Sequence, residues 1–491
     1  MNIQDLRKEK IAILGLSTEG IASGEFLARQ KIPFTVLEKK ELPQLGKAKD
    51  YLSQWKAEYR LGKNHLDKLA DFTLVLRSPG IPLFLPQIRA ACSQGVKISS
   101  QTKLFLKLCP SPAIGITGTK GKGTTAILTH NILKEEGKRV FLGGNIGKPP
   151  LDFLEKLDHN AWVILELSSF QLEDFEQSPH IAVVLGLAPD HLAPESPDAP
   201  NFHKDEETYY KIKEKMVAFQ KQDDVAILNF DDDKVKTFAT KTQAQVYYFS
   251  QSQKVTGAYI SQNKEIILNV GGIRKVIGKT KDLVLPGKHN WWNVCAAVAA
   301  GGLAGCSKES IQKAVFSFQG YEHRLELVAE IEGVKYYNDS AATNPEPCVA
   351  ALKSFEGHLI LIAGGSNKGQ MYDKLGEAIV QSQVKTVYLI GEMAAKIAAA
   401  VRDQSSKLNP PTGGQNSKSK TSSIILAGYP TMEKIVRDCS KLAQKSDIVL
   451  LSPACASFDM FINYKDRGHQ FKKAVLDLKR ERGKKLQTGS I

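Results

Sequence analysis

The sequence predicts an α/β protein of three domains: N-terminal Rossmann-like, central P-loop ATPase-type sheet, C-terminal Rossmann-like. Three observations carry this. The chain has 491 residues, and at roughly 150 residues per domain that is room for about three. Short apolar strands alternate with amphipathic helices along most of it, the rhythm of a doubly wound sheet. Its composition, 42% hydrophobic and 24% charged, excludes wholesale disorder, collagen and a coiled-coil rod.

The first part, residues 1–109, opens on KIAILGLS, a strand running into a glycine turn. GIASGEFLARQK has helical spacing, FTVLEKK is a second strand ending near Glu38, and DFTLVLRSPGIP runs into a Ser-Pro-Gly turn. Gly15 and Gly20 do not spell GxGxxG, so a dinucleotide fingerprint is absent. The six-residue apolar run near the N-terminus is too short for the core of a signal peptide. No apolar run reaches the ~18 residues of a membrane span. Seven scattered cysteines without a CxxC pair read as reduced thiols. The expected setting is the cytoplasm, with no membrane.

The second part, residues 110–319, begins with the strand AIGITG and continues through the strands AWVILELS and IAVVLGLA to the helix NVCAAVAAGGLAG. The third, residues 320–491, has the strands KYYND, HLILIAGG, TVYLIG, SIILAG and DIVLLS. Pro, Gly, Ser and Lys dominate residues 403–423, which read as a mobile insertion.

Residues 114–125, IGITGTKGKGTT, join a buried strand to a helix through a glycine-rich loop. Glycines let backbone N–H groups turn toward phosphate oxygens, and the helix N-terminus adds partial positive charge. Gly118, Thr119, Lys120, Gly121, Lys122, Gly123, Thr124 and Thr125 are the candidate nucleotide contacts, with Lys122 reaching the β- and γ-phosphates. A hydroxyl normally follows that lysine to hold Mg²⁺. Here Gly123 stands there, so Thr124, Thr125 or water must serve. Glu166, at the end of the strand AWVILE, offers a carboxylate for a metal beside the loop. Asp190 and His191 follow another strand, and His191 is a candidate ligand.

These residues resemble the Mur ligase family. GTKGKGTT resembles its ATP loop and PGKHNWWN (286–293) its adenine-side motif. GGNIG (143–147), LELSSFQLE (165–173), EHRLE (322–326), NDSAATNPE (338–346), LIAGGSNKG (361–369) and LLSPACASFDMFINYKDRG (450–468) resemble the branch that adds D-glutamate. The resemblance implies a UDP-binding first domain, an ATP-binding second and a third that admits the amino acid. It implies an ATP-dependent amide ligase of peptidoglycan precursor synthesis. This ligase would join D-glutamate to UDP-N-acetylmuramoyl-L-alanine through an acyl phosphate, as a monomer, with two Mg²⁺ ions.

By that resemblance Thr124, Glu166 and His191 bind metal, and Lys213, placed by Tyr209 and Met216 in TYYKIKEKM, carries a carbamate. Lys211 and Lys215 stay open as register alternatives. A carbamate needs a neutral amine, so its lysine should be buried with a lowered pKa. Between His191 and this helix, APESPDAPNFH replaces the family's short form, and His203 restores a second histidine. Asn290 and Asn293 resemble the adenine contacts, and Arg324 and Asp339 those to phosphate and ribose. Thr343, Lys368, Ser457, Phe458 and Tyr464 would receive D-glutamate. Ser17, Thr18, Glu38, Ser78 and Gly80 would receive the UDP part, and Asn145 and Ser168 the sugar-peptide part. Ala341 stands where many members have lysine, and Lys120 where many have asparagine; Lys120 is expected to replace part of the lost charge.

A sibling ligase adding another amino acid is the competing reading among enzymes. From another class, the net charge of +14 suggests a P-loop nucleic-acid-binding protein. The lysines are spread along the chain without a basic tract or aromatic interleaving, so no nucleic-acid partner is expected.

Overall fold

The computed structural model describes residues 2–192, 201–367, 369–408, 424–428 and 431–488. The chain divides into two compact units. One comprises Met1–Asp282 with Trp291–Phe316, the other Leu283–Asn290 with Ser317–Ile491.

The first unit holds two sheets. The N-terminal sheet has five parallel strands. Their order is Glu58–Leu61, Phe34–Glu38, Ile11–Leu14, Leu74–Arg77 and Lys97–Ser99. The central strands are buried along almost their whole length, as in a parallel sheet covered on both faces. The order reverses beside Ile11–Leu14, and such a switch point opens a crevice at the carboxyl ends of the strands. Gly15, Ser17 and Ser78 lie there.

The second sheet has nine strands. The strand Ala113–Thr117 lies between Ile181–Val184 and Ala161–Glu166, parallel to both. Arg139–Gly144 closes one edge. At the other edge Gly257–Ile260, Glu265–Val270 and Ile273–Lys279 form an antiparallel meander. Phe34 of the N-terminal sheet and Phe26 of the helix Thr18–Arg29 share a hydrophobic core with Leu165 of the central sheet, Met216 of the helix Glu206–Ala218 and Phe153. Phe105 meets Phe153 edge-on at 5.6 Å.

Among the described residues the second unit has six strands, parallel except for the hairpin of Glu326–Ile331 with Val334–Asn338. Ile448–Leu451 lies between Val334–Asn338 and Leu359–Gly364, so the loops after these three strands share one sheet end. Residues 403–408, expected in a mobile insertion, instead end the helix Ala394–Leu408. Its apolar face, with Ile397, Ala398 and Val401 in the core, carries the helical register into the low-complexity stretch. The rest of that stretch, 409–423, lies outside the described residues. No helix among the described residues is long and apolar enough to cross a membrane.

Candidate active site

The strand Ala113–Thr117 ends in a loop, and the helix Lys122–Glu135 begins at once behind it. Two glycines make this turn. Gly118 has φ 145° and Gly121 φ 87°, conformations that L side chains rarely adopt. Space forbids a side chain as well: a Cβ on Gly121 would sit 2.1 Å from Asn293 Oδ1, and one on Gly118 2.7 Å from Leu185 Cβ. The loop is therefore a bare backbone cradle at a helix N-terminus. Lys122 folds back over it, donating to the carbonyls of Gly118 (3.1 Å) and Thr119 (3.0 Å). Lys120 and Gly123 remain at or near the surface. Thr124 is buried in the first helical turn, and Thr125 donates to Asn293 Oδ1 at 3.4 Å. Asn290 and Asn293 both lie at the start of the helix Asn290–Leu303.

Glu166 ends its strand in register with Ile116 of the loop strand, and its side chain is buried. Asn145 is exposed, and its N–H donates to the Glu166 carbonyl at 2.8 Å. Ser168 caps the short helix that follows.

Lys213 is 1% exposed. It donates to Thr117 Oγ1 (2.8 Å) and to the Gly118 carbonyl (3.2 Å), at the base of the glycine loop. Burial holds its amine well below the usual lysine range; the Lys122 charge pushes the same way, and Glu166 and Asp190 pull back. Lys211, by contrast, is paired with Glu207 at 2.7 Å on the surface, which raises its pKa. Lys215 donates to the Glu173 carbonyl.

His191 has φ 52° and is exposed, its ring 5.1 Å from that of Phe170. Its carbonyl accepts from the His203 N–H at 2.8 Å, so the two histidines lie side by side across the inserted loop. His203 is buried, stacks on Phe170 at 4.8 Å and bonds Ser169 Oγ at 2.8 Å. Burial, helped by the neighbouring His191 and Lys213, pushes its pKa down to about 4. It is a neutral imidazole near pH 7. Lys122 and Glu166 thus lie within electrostatic reach of Lys213, and His191 reaches this neighbourhood through its contact with His203, which also feels Lys213.

In the N-terminal sheet, Ser17 and Ser78 share a hydrogen bond of 2.8 Å, and Ser78 also donates to the Gly15 carbonyl. Glu38 accepts from the Leu16 N–H (2.7 Å) and the Lys40 N–H (3.0 Å), which fixes its carboxylate at the strand end. Thr18 and Gly80 are exposed nearby in the chain.

In the second unit, Arg324 is exposed between His323 and Leu325, both at positive φ. Asp339 turns inward. It accepts from the Leu325 N–H (3.2 Å) and from Ser452 Oγ (2.7 Å), and burial raises its pKa to about 7 against these bonds and the pull of Arg324. Ser457 is buried, whereas Phe458 is 71% exposed with its N–H on Ser366 Oγ. The Tyr464 carbonyl accepts from Ser340 Oγ at 2.7 Å. Thr343 is half-buried, and Lys368 lies outside the described residues.

Two buried arginines escaped the sequence reading. Arg77 donates to the carbonyls of Pro79 (3.2 Å), Ile81 and Phe170 (3.4 Å) and pairs with Glu173 at 3.3 Å. Arg467 is enclosed in the second unit. The one available signal was position: each stands inside a motif already singled out, RSPGIP and YKDRG.

A profile of the Mur ligase MurD-like N-terminal domain matches residues 9–100. The Mur ligase middle domain matches 116–301, and the Mur ligase glutamate ligase domain 323–455. The chain is 36% identical to a protein of Acetivibrio thermocellus over 471 residues, 96% of this chain and 97% of the relative. It is 37% identical to one of Koribacter versatilis over 473 residues, 96% and 98%. Both relatives are named UDP-N-acetylmuramoylalanine--D-glutamate ligase. Among solved structures, the chain is similar in fold to UDP-N-acetylmuramate-alanine ligase MurC of Thermotoga maritima. That match has TM-score 0.54 and 16% identity, over 96% of this chain and 100% of the other.

Proposed function

The chain belongs to the Mur ligase family, and from that premise we propose that it joins D-glutamate to UDP-N-acetylmuramoyl-L-alanine at the expense of ATP. The single structural observation supporting the reading is Lys213, a buried lysine with a lowered pKa tucked under a phosphate loop. The names of the relatives supply the substrates. In this reaction the acceptor's alanyl carboxylate takes the γ-phosphoryl group of ATP. The amine of D-glutamate then displaces phosphate, leaving an amide, ADP and phosphate.

The chain's residues fit these tasks. The bare cradle of Gly118 and Gly121 accommodates phosphate oxygens on backbone N–H groups. Lys122 offsets negative charge where two anions must meet. Glu166, Thr124 and His191 would hold magnesium, and a buried carboxylate with a hydroxyl is a suitable oxygen set for it. Magnesium, when bound, supplies positive charge for phosphoryl transfer. Lys213 is the lysine proposed to carry the carbamate, completing a site for two ions. Its amine is buried and shifted toward neutrality, whereas Lys211 is exposed and shifted the other way. Asn290, Asn293, Arg324 and Asp339 are proposed to serve the nucleotide. Ser17, Thr18, Glu38, Ser78, Gly80, Asn145 and Ser168 are proposed for the acceptor, and Thr343, Lys368, Ser457, Phe458 and Tyr464 for D-glutamate. Residues 1–109, 110–319 and 320–491 are taken as three working domains of a cytoplasmic monomer.

The test is the mass of the product. Purified protein with ATP, Mg²⁺, bicarbonate and UDP-N-acetylmuramoyl-L-alanine should add one glutamyl residue from D-glutamate. Addition of a different amino acid instead would move the chain to a sibling activity. Lys213→Met should lower turnover by roughly a thousandfold or more, the scale of losing transition-state charge stabilisation, while Lys211→Met leaves it unchanged.

A further inference from the structure

Arg467 lies in the first turns of the helix Tyr464–Thr488 and is 0% exposed. Its guanidinium makes five hydrogen bonds. Nε donates to Ser340 Oγ at 2.9 Å. One terminal nitrogen donates to the carbonyls of Cys455 and Ala456, both at 3.2 Å. The other donates to the Ser340 carbonyl at 2.9 Å and again to Cys455 at 3.2 Å. Every acceptor is a neutral oxygen. A guanidinium has five N–H donors in a rigid fork, and a lysine has three on a single point.

The acceptors belong to two loops. Ser340 sits between Asp339 and Thr343 in the loop after the strand Val334–Asn338, and Cys455 and Ala456 precede Ser457 in the loop after Ile448–Leu451. The arginine's own helix starts at Tyr464, whose carbonyl Ser340 Oγ also holds. A third loop is joined indirectly: the Ser366 N–H donates to the Ala456 carbonyl at 2.9 Å, and the Phe458 N–H to Ser366 Oγ at 3.1 Å. The backbone around the fork is not relaxed by itself, since Ala454 stands at φ 58°, a conformation that costs a non-glycine residue energy. Burying a cation without a hydrogen-bonded counter-charge is also costly; Asp459 and Asp339 act on Arg467 only at longer range, and burial still lowers its pKa to about 10. The loops it holds carry Thr343, Ser457 and Phe458, and its own helix starts at Tyr464.

We propose that Arg467 is a positioning residue for the incoming amino acid: its fork fixes the loops at Ser340 and Cys455–Ala456 and the start of the Tyr464 helix in the geometry that receives D-glutamate. This rests on the reading of D-glutamate as substrate. Arg467 does not touch that substrate; it acts through the backbone it holds. Its loss is therefore felt in the affinity for the amino acid, and little in that for the UDP-linked acceptor, whose proposed residues lie in the other unit.

The experiment is steady-state kinetics of Arg467→Lys and Ser340→Ala against the parent enzyme, with thermal unfolding of each. Arg467→Lys should raise KM for D-glutamate by roughly tenfold or more, the scale of leaving buried acceptors unmet. KM for UDP-N-acetylmuramoyl-L-alanine should stay within about twofold. Ser340→Ala removes one acceptor and should shift the same constant in the same direction by less. It keeps the test decisive if the lysine variant does not fold. A drop in melting temperature with both KM values unchanged in both folded variants would overturn the proposal and leave Arg467 a purely structural residue. If the parent enzyme shows no D-glutamate-dependent turnover, the functional reading fails and this inference with it. If the parent depends on D-glutamate and the variants' KM does not move, only the inference fails.

Discussion

Among the described residues Arg77 and Arg467 head the fully buried side chains by size, and their hydrogen-bonded partners differ in kind. Arg77 stands where the N-terminal and central sheets of the first unit meet, with Glu173 at 3.3 Å and the Phe170 carbonyl beyond it. Arg467 bonds only to hydroxyl and carbonyl oxygens of its own unit. One arginine locks two sheets through charge, the other locks loops through the shape of its fork. A charge lock depends on the ionisation of its partners, whereas a shape lock depends on having five donors in the right plane.

The carboxylates around Arg77 show this dependence. Burial raises Glu19 and Glu173 each to about 7, although Gln171 hydrogen-bonds the first at 2.6 Å and Arg77 pairs with the second. Asp174 is also raised by burial. Desolvation outweighs the nearby cation here, so the ion pair holds geometry more than it adds stability.

The largest expected effect breaks the charge lock. Arg77→Met leaves Glu173 enclosed without its partner and should cost about 3 kcal/mol or more in urea unfolding. Adding Glu173→Gln should recover part of that loss. No recovery in the double variant would show that the carbonyl bonds, and not the charge, are what Arg77 contributes.

A smaller effect sharpens the contrast through pH. The folded state holds the Glu19 proton more tightly than the unfolded chain does. Stability from this group is therefore present at low pH and is lost as pH rises from about 4.5 to about 7. Glu19→Gln removes that loss and keeps an acceptor for Gln171. The variant should gain on the parent across this window, by about 3 kcal/mol at pH 8. A gap that stays constant with pH would contradict the assignment.

The smallest concerns the cations that distinguish the units. Ala341 supplies none in the second unit, and Lys120 adds one to the phosphate loop of the first. Lys120→Asn should lower kcat/KM by roughly tenfold; an unchanged value would show that Lys120 compensates for nothing.

What was legible in the sequence follows from burial. Ala113–Thr117, Ile181–Val184 and Leu359–Gly364 are buried on both faces and read directly as apolar runs. Glu58–Leu61 and Ile273–Lys279 are edge strands with mostly open side chains, and their charged residues hid them. The glycine loop was legible because its signals are local: strand, glycines, lysine and helix are contiguous. Lys213 was placed by resemblance alone, and only its packing under Thr117 and Gly118 separates it from Lys211. Arg77 and Arg467 were not legible as buried groups, since a charged residue reads as surface until the acceptors that enclose it, from segments as distant as Ser340, are brought together.

The central claim is that this site couples ATP to the joining of one acceptor and one amino acid, and phosphate release tests it most directly. Purified protein with ATP, Mg²⁺ and bicarbonate should release phosphate in sustained turnover only when UDP-N-acetylmuramoyl-L-alanine and D-glutamate are both present. Lys122→Ala and Glu166→Ala should abolish it. Phosphate release that is indifferent to D-glutamate, or that survives Glu166→Ala, would contradict the account.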